Sequence, residues 1–267
     1  MSQFINAKNI RKQVLDLAFH YRTAHIGGSL SVVEILVSIF TNFKINKKQI
    51  NNASRARLLY SKGHACLAYY SALEEFKIIK NLKENFNVDG GDYTSHINHK
   101  VDGVEFSTGS LGHALPIACG IATSLKNDKN NAKVICILSD GELNEGSNWE
   151  ALLYSQHHEL SNLLIVIDYN KLQSFGYTNE VINLEPLKSK FESFNLITKQ
   201  INGHNFEQLN YEISLFISNK NKFPTILICD TIKGKGISFY ENKLSSHYRP
   251  PNEDEYLKAL MEINNAK

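Results

Sequence analysis

KVICILSDG (133–141) and NLLIVIDYN (162–170) are the two stretches that decide the fold. Each begins as a continuous, largely β-branched apolar run, the pattern of a strand buried on both faces of a parallel sheet. A helix lies between them, with Ser147 and Glu150 offering a capping box at its start. Together they make a βαβ unit. Further along, LITKQI (196–201), FEQLNYEISLFI (206–217) and TILICDTI (225–232) repeat the alternation as strand, helix and strand. Strands alternating with helices imply a doubly wound, mainly parallel α/β sheet.

The N-terminal part fits the same plan. Apolar positions at Ile10, Val14, Leu17, Ala18 and Tyr21 predict a helix over 7–22. TAHIGGSLS (23–31) reads as a glycine-containing turn, and Ser31 with Glu34 as a capping box opening a helix through VVEILVSIF. ARLLYS (56–61) reads as a short buried strand, and HACLAYYSALEEF (64–76) as the helix after it. Residues 86–110 are rich in Gly, Asp, Asn and His without periodicity, which predicts a long loop of the kind that is usually functional or disordered. LGHALPIACGIATSL (111–125) is helix-like, with Pro116 admissible near the first turn. No internal repeat or linker breaks the chain, so one domain over 1–267 is expected.

Composition bounds the partners. The chain has 267 residues, 42% hydrophobic and 21% charged, enough for a sizeable core and a polar surface. Lys+Arg 29 against Asp+Glu 27 leaves a formal charge of +2 with no basic arm, so neither nucleic acid nor an anionic membrane is indicated. The opening MSQFINAKNIRKQ lacks the apolar core of a signal peptide. Cys66, Cys119, Cys136 and Cys229 sit among apolar neighbours without metal-ligand spacing, which predicts reduced, buried thiols. A soluble, cytosolic (cytoplasmic) domain is expected.

Open parallel sheets bind ligands at the carboxyl ends of their strands. Two strands here end in Ser139-Asp140-Gly141 and Asp168-Tyr169-Asn170. Asp140 and Asn170 offer hard oxygens suited to Mg²⁺, which keeps coordination sites for phosphate. Gly141 lets backbone approach a phosphate, and the following helix N-terminus aims N–H groups at the same place. These features point to a diphosphate clamped by Mg²⁺, although SDG alone is equally well an ordinary turn. His25, His64, His96 and His247 lie in Gly- or Ser-bordered turns, where imidazole can donate to phosphate or move protons. His20, His99, His157, His158 and His204 read as ordinary surface or satisfied histidines.

Taken in order, AHIGGSLSVVEIL, YSKGHACLAYYSAL, GVEFSTGSLG, SDGELNEGSNWEALL and KGKGISF resemble the N-terminal, pyrophosphate-binding half of transketolases. The resemblance runs from about residue 8 to about residue 250 and is closest to the two-chain form. It implies thiamine diphosphate and Mg²⁺ as cofactors, with Asp140, Asn170 and the Leu172 carbonyl as metal ligands. It implies diphosphate contacts from Gly141, His64 and His247, and substrate contacts from His25 and His96. Gly109 and Leu111 would line the aminopyrimidine side, and Glu145 would join a carboxylate network reaching across a subunit interface.

Departures from the family pattern are Ser139, Tyr169 and His113-Ala114. The first two leave both ligand side chains in place, whereas the third bears on substrate geometry. In the family, the glutamate that activates the aminopyrimidine lies in a pyrimidine-binding domain, and only a helical tail follows Pro251 here. The resemblance therefore implies an α2β2 assembly with a separate C-terminal subunit carrying that glutamate, acting on sugar phosphates. The expected activity is transfer of a two-carbon ketol unit from a ketose phosphate to an aldose. Two alternatives stay open at this point. One is another thiamine-dependent component, of 1-deoxyxylulose-5-phosphate synthase or 2-oxoacid dehydrogenase type; the other is a non-catalytic paralogue.

Overall fold

The computed structural model describes residues 2–218 and 221–266. Five strands form one sheet: β1 (Arg57–Tyr60), β2 (Val134–Ser139), β3 (Leu163–Tyr169), β4 (Ile197–Asn202) and β5 (Thr225–Asp230). Their order is β1-β2-β3-β5-β4, and every pairing among them is parallel. The predicted doubly wound parallel sheet is therefore what forms.

The period-two geometry of a strand divides the core between two faces. Ile135, Ile137, Leu164, Val166, Leu227 and Cys229 point to one side. There they meet α1 (Ser2–His20), α2 (Ile26–Ser31), α3 (Val33–Asn42), α4 (Cys66–Glu75) and the short α5 (Leu82–Asn85). Val134, Cys136, Leu138, Leu163, Ile165 and Ile167 point to the other side. They pack on α6 (Ala114–Asn127), α7 (Gly146–His157) and, past the single turn α8 (Thr178–Val181), on α9 (Leu187–Ser193). Two helices complete the first layer: α10 (Phe206–Ser218) and α11 (Glu253–Asn265). Each fully buried aliphatic side chain contributes about 1.5–3 kcal/mol, so the two-sided strands hold the sheet strongly. The four cysteines are free and buried, as their apolar neighbours imply.

Three local expectations are corrected. TAHIGGSLS is not simply a turn, because Ile26–Ser31 is helical and wholly buried. Ser31 does not cap α3; its hydroxyl donates to the Gly28 carbonyl (3.1 Å) and to the Asp168 carboxylate (2.6 Å). Ser147 does not cap α7, since it donates to the Gly112 carbonyl at 2.6 Å. For both serines a tertiary partner takes the hydroxyl that a local cap would have used.

The fold delivers the ends of β1, β2, β3 and β5 to one edge of the sheet. Ser139 is in register with Asp168, and Tyr169 with Asp230. The long loop closes over that edge and is pinned by two tyrosines of α4. Tyr69 donates to the Gly103 carbonyl at 2.7 Å, and Tyr70 to the His96 carbonyl at 3.2 Å. At Gly63 a Cβ would stand 2.2 Å from the Thr108 carbonyl oxygen, so only glycine lets the loop approach the end of β1.

Candidate active site

Asp140 follows β2 and is 2% exposed. Its carboxylate accepts the Gly141 N–H at 2.7 Å and the Lys171 N–H, so the ends of β2 and β3 are joined through it. Asn170, beyond β3, accepts the Leu172 N–H through Oδ1 at 3.1 Å. The Leu172 carbonyl accepts from the Lys233 ammonium at 2.8 Å. One carboxylate and two neutral oxygens thus converge at the carboxyl edge of the sheet.

Every candidate named from the sequence lines a single cavity of about 480 Å³: His25, His64, His96, Gly109, Leu111, Asp140, Gly141, Glu145, Asn170, Leu172 and His247. The histidine rings form a cluster. His25 lies 4.7 Å from His247, 5.5 Å from His64 and 6.1 Å from His96, centroid to centroid. His25 holds this place with a left-handed backbone (φ 67°), and its N–H donates to the His247 carbonyl at 2.8 Å. A lysine ammonium has donors only, so at 3.1 Å from Lys233 the His247 Nδ1 accepts, and the hydrogen of the neutral ring sits on Nε2.

Sequence reasoning gave no role to four residues here: Lys62, Asp168, Glu142 and Lys233 of the KGKG turn. Lys62 (1% exposed) and Asp168 (0%) form a buried ion pair beside Asp140. Lys62 also donates to the Gly28 carbonyl at 2.8 Å, and Asp168 accepts from Ser31 and Thr231. Asp168 is thereby committed to a lysine. A charge inside a buried apolar run requires such a partner, and that was the available signal. Glu142, fully buried, accepts the Gly112 N–H at 2.8 Å and the Ser61 hydroxyl, tying the STGSLG loop to the turn after β2. Lys233 reaches into the same cavity.

Electrostatically the site is prepared for an anion. Burial pulls His25 down to about 4, with His96 and Lys233 adding to the shift. Burial pulls His247 down to about 3, helped by Lys233. His64 is lowered by burial and then by Lys62, and His96 by burial alone. Lys233 falls to about 8, chiefly through burial. Burial, and then Asp168, raise Asp140 to about 6. The histidines are neutral at pH 7, and an arriving anion would favour their charged forms.

The sign of the resulting pH dependence follows from linkage. Between about 6.5 and 4 the unfolded histidines bind protons that the folded ones refuse, so stability falls as the solution is acidified. Asp140 acts oppositely between 3.8 and about 6, and buried Glu142, raised chiefly by burial, acts with it, but these are two groups against four histidines. The melting temperature of the cofactor-free chain is expected to drop through this window. The drop should be smaller in His247→Asn, and a flat profile in the unmodified chain would refute the neutral cluster.

The cavity suits a metal–diphosphate pair on its donor set. Among the described residues no group of three His, Cys, Asp or Glu is arranged to hold a metal. The oxygens of Asp140, Asn170 and Leu172 leave room for phosphate ligands, as Mg²⁺ prefers. Two polar atoms in residues lining the cavity, Gln173 Nε2 and Asn144 Oδ1, are buried without partners. An open parallel α/β sheet takes its ligands at the carboxyl ends of its strands, which is where this cavity lies.

Comparison with known proteins sharpens that description. The family model described as "Transketolase, thiamine diphosphate binding domain" matches residues 2–263. The chain belongs to this family. One subunit of the apulose-4-phosphate transketolase from Actinobacillus succinogenes is 36% identical over 261 residues, 96% of this chain and 94% of that protein. A 6-deoxy-6-sulfo-D-fructose transketolase subunit from Clostridium sp. is 35% identical over 262 residues, with the same coverage of both chains. Among solved structures, the Campylobacter jejuni transketolase superposes with a TM-score of 0.87 at 26% identity. That match covers 98% of this chain and 42% of the other, so the chain spans about two fifths of a single-chain transketolase. No helix among the described residues is long and apolar enough to cross a membrane.

Proposed function

We propose that this chain is a single pyrophosphate-binding domain, the N-terminal subunit of a thiamine-diphosphate- and Mg²⁺-dependent transketolase. It would move a two-carbon ketol unit from a ketose phosphate to an aldose acceptor, together with a separate C-terminal subunit in an α2β2 assembly. The observation that carries this reading is the convergence of Asp140, Asn170, Leu172 and four histidines on one cavity at the strand ends. The names of the relatives support a two-chain enzyme, since the apulose-4-phosphate relative is itself named as one subunit of its enzyme, and the match covers it almost end to end. They also turn attention toward donors of the kinds those names print, apulose 4-phosphate and a 6-deoxy-6-sulfo sugar.

In this reading Asp140, Asn170 and the Leu172 carbonyl hold Mg²⁺, and Gly141 N–H, His64 and His247 meet the diphosphate. The bound cofactor supplies the carbon that carries the two-carbon unit. His25 and His96 would hold the sugar's hydroxyl and carbonyl groups and move protons. Gly109 and Leu111 line the pyrimidine side, and exposed Glu145 faces a neighbouring subunit. The roles separate experimentally. His64→Ala and His247→Ala are expected to weaken cofactor affinity along with turnover. His25→Ala and His96→Ala should depress kcat at saturating cofactor by about 10²–10⁴-fold, the usual contribution of a positioned acid or base. Cofactor titration and steady-state kinetics on the paired subunits check this. A His96→Ala enzyme that lost cofactor affinity and kept kcat would reverse the assignment.

A further inference from the structure

We infer that His204 is a positioning residue that sets Lys233 in the site through the backbone of Ile232. This inference rests on the diphosphate reading of the cavity. His204 lies in the turn after β4, outside the cavity lining, and its side chain is 12% exposed. The Ile232 N–H donates to its Nε2 at 2.8 Å. A backbone amide cannot act as acceptor, so Nε2 carries the lone pair and Nδ1 carries the hydrogen. Nδ1–H then donates to Glu34 at 2.9 Å. Glu34 is gripped in turn by the Arg11 guanidinium at 2.7 and 2.8 Å. The chain of contacts Arg11–Glu34–His204 therefore fixes both the orientation and the tautomer of one imidazole.

That imidazole holds the turn whose next residue enters the site. Lys233 Nζ reaches the carbonyls of Leu172 (2.8 Å) and Gln173 (3.2 Å) and the His247 ring (3.1 Å). The flanking N–H groups of Thr231 and Gly234 are satisfied by the backbone carbonyls of Tyr169 and Gly27. At Ile232 the acceptor is instead a side chain from another element. Arg11 adds a second hold on the same turn, donating through Nε to the Lys235 carbonyl at 3.2 Å. Gly234 has φ +84° and its Cβ position would stand 2.3 Å from the Tyr240 carbonyl, so the turn has little room to relocate.

Two substitutions divide the ring's functions. Glutamine places an oxygen near the Nε2 position and can still accept from Ile232. Asparagine places an amide near the Nδ1 position and can still donate to Glu34. If His204 acts through Ile232, His204→Asn should weaken thiamine diphosphate binding by about 10-fold, at the low end for an outer-shell partner. His204→Gln should stay within a few-fold of the unmodified chain. Hydrogen exchange at residues 231–236 should quicken in His204→Asn and not in His204→Gln. In a Lys233→Met background His204→Asn should add nothing, because the two act in series.

The experiment uses the full chain, with calorimetry in Mg²⁺ and thiamine diphosphate and exchange measured by mass spectrometry. The reverse ranking, with Gln worse than Asn in both readouts, overturns the inference and makes the Glu34 contact the purpose of the residue. A full His204→Asn effect persisting in Lys233→Met also overturns it. Should the unmodified chain, paired with its C-terminal subunit, bind no cofactor, the cofactor reading fails separately, and the exchange ranking still decides whether His204 holds the turn.

Discussion

Replacing Asp140 by Ala is expected to abolish Mg²⁺-dependent binding of thiamine diphosphate while leaving the fold intact. Removing an outer-shell partner typically costs about 10–100-fold in metal affinity, so losing the one carboxylate of the ligand set should cost at least on the order of 100-fold. The fold should survive because the ionised carboxylate is itself held against burial and against Asp168. At pH 7 its charge opposes folding in the metal-free chain, and metal binding offsets that cost. Alanine also strands the N–H groups of Gly141 and Lys171, both of which now donate to this carboxylate. Asp140→Asn is the sharper variant: it removes the charge and keeps an acceptor. Both are checked by titrating cofactor with and without Mg²⁺ and by thermal melting. Unchanged affinity in a folded Asp140→Asn chain would remove this residue from the metal site.

The second large effect concerns the chain by itself. With saturating Mg²⁺ and thiamine diphosphate, it is expected to show no ketol transfer, at least about 100-fold below the paired enzyme, the lower end of what a positioned acid or base supplies. The reason is chemical. The cavity offers a diphosphate clamp and candidate proton-transfer histidines, but among the described residues its carboxylates are otherwise placed. Asp140 is turned to the proposed metal, and Glu145 stands exposed at the start of α7. Neither is available to activate an aminopyrimidine, the task that the family assigns to a second domain. An uncovered site would also admit water to any reactive carbon. Adding the cognate C-terminal subunit should restore transfer from a ketose phosphate, read as released aldose phosphate. Robust turnover by the single chain would sink the two-subunit proposal. A mixture inert toward ketose phosphates and active on a 2-oxoacid would redirect the substrate class.

His113 and Ala114 stand where the family commonly has Gln-Gly, and His113 is exposed at the start of α6. The residue therefore lies on the surface, next to the STGSLG loop and outside the cavity lining.

The sheet was legible in the chain alone, because β-branched apolar runs such as Val134–Leu138 and Leu163–Ile167, alternating with helical segments, suit strands buried on both faces of a parallel sheet. Asp140, Asn170 and the turn histidines were legible as candidates too, since they carry their chemistry in residue type and spacing, whereas Gly109, Leu111, Glu145 and Leu172 were reached only through the family resemblance. The pairings emerged only on folding. Ser31 could as well have capped a helix; folding brought it to Asp168, 137 positions away, and the buried carboxylate claimed it. Lys62 met the same carboxylate, Glu142 met Gly112, and His204, an ordinary histidine in the sequence, met Ile232 and Glu34. One cause is common to all of them. A local pattern reports the few residues within a turn or a strand, whereas a buried polar group must be satisfied by whatever the packed layers bring within about 3 Å. That distance is set by the assembled fold.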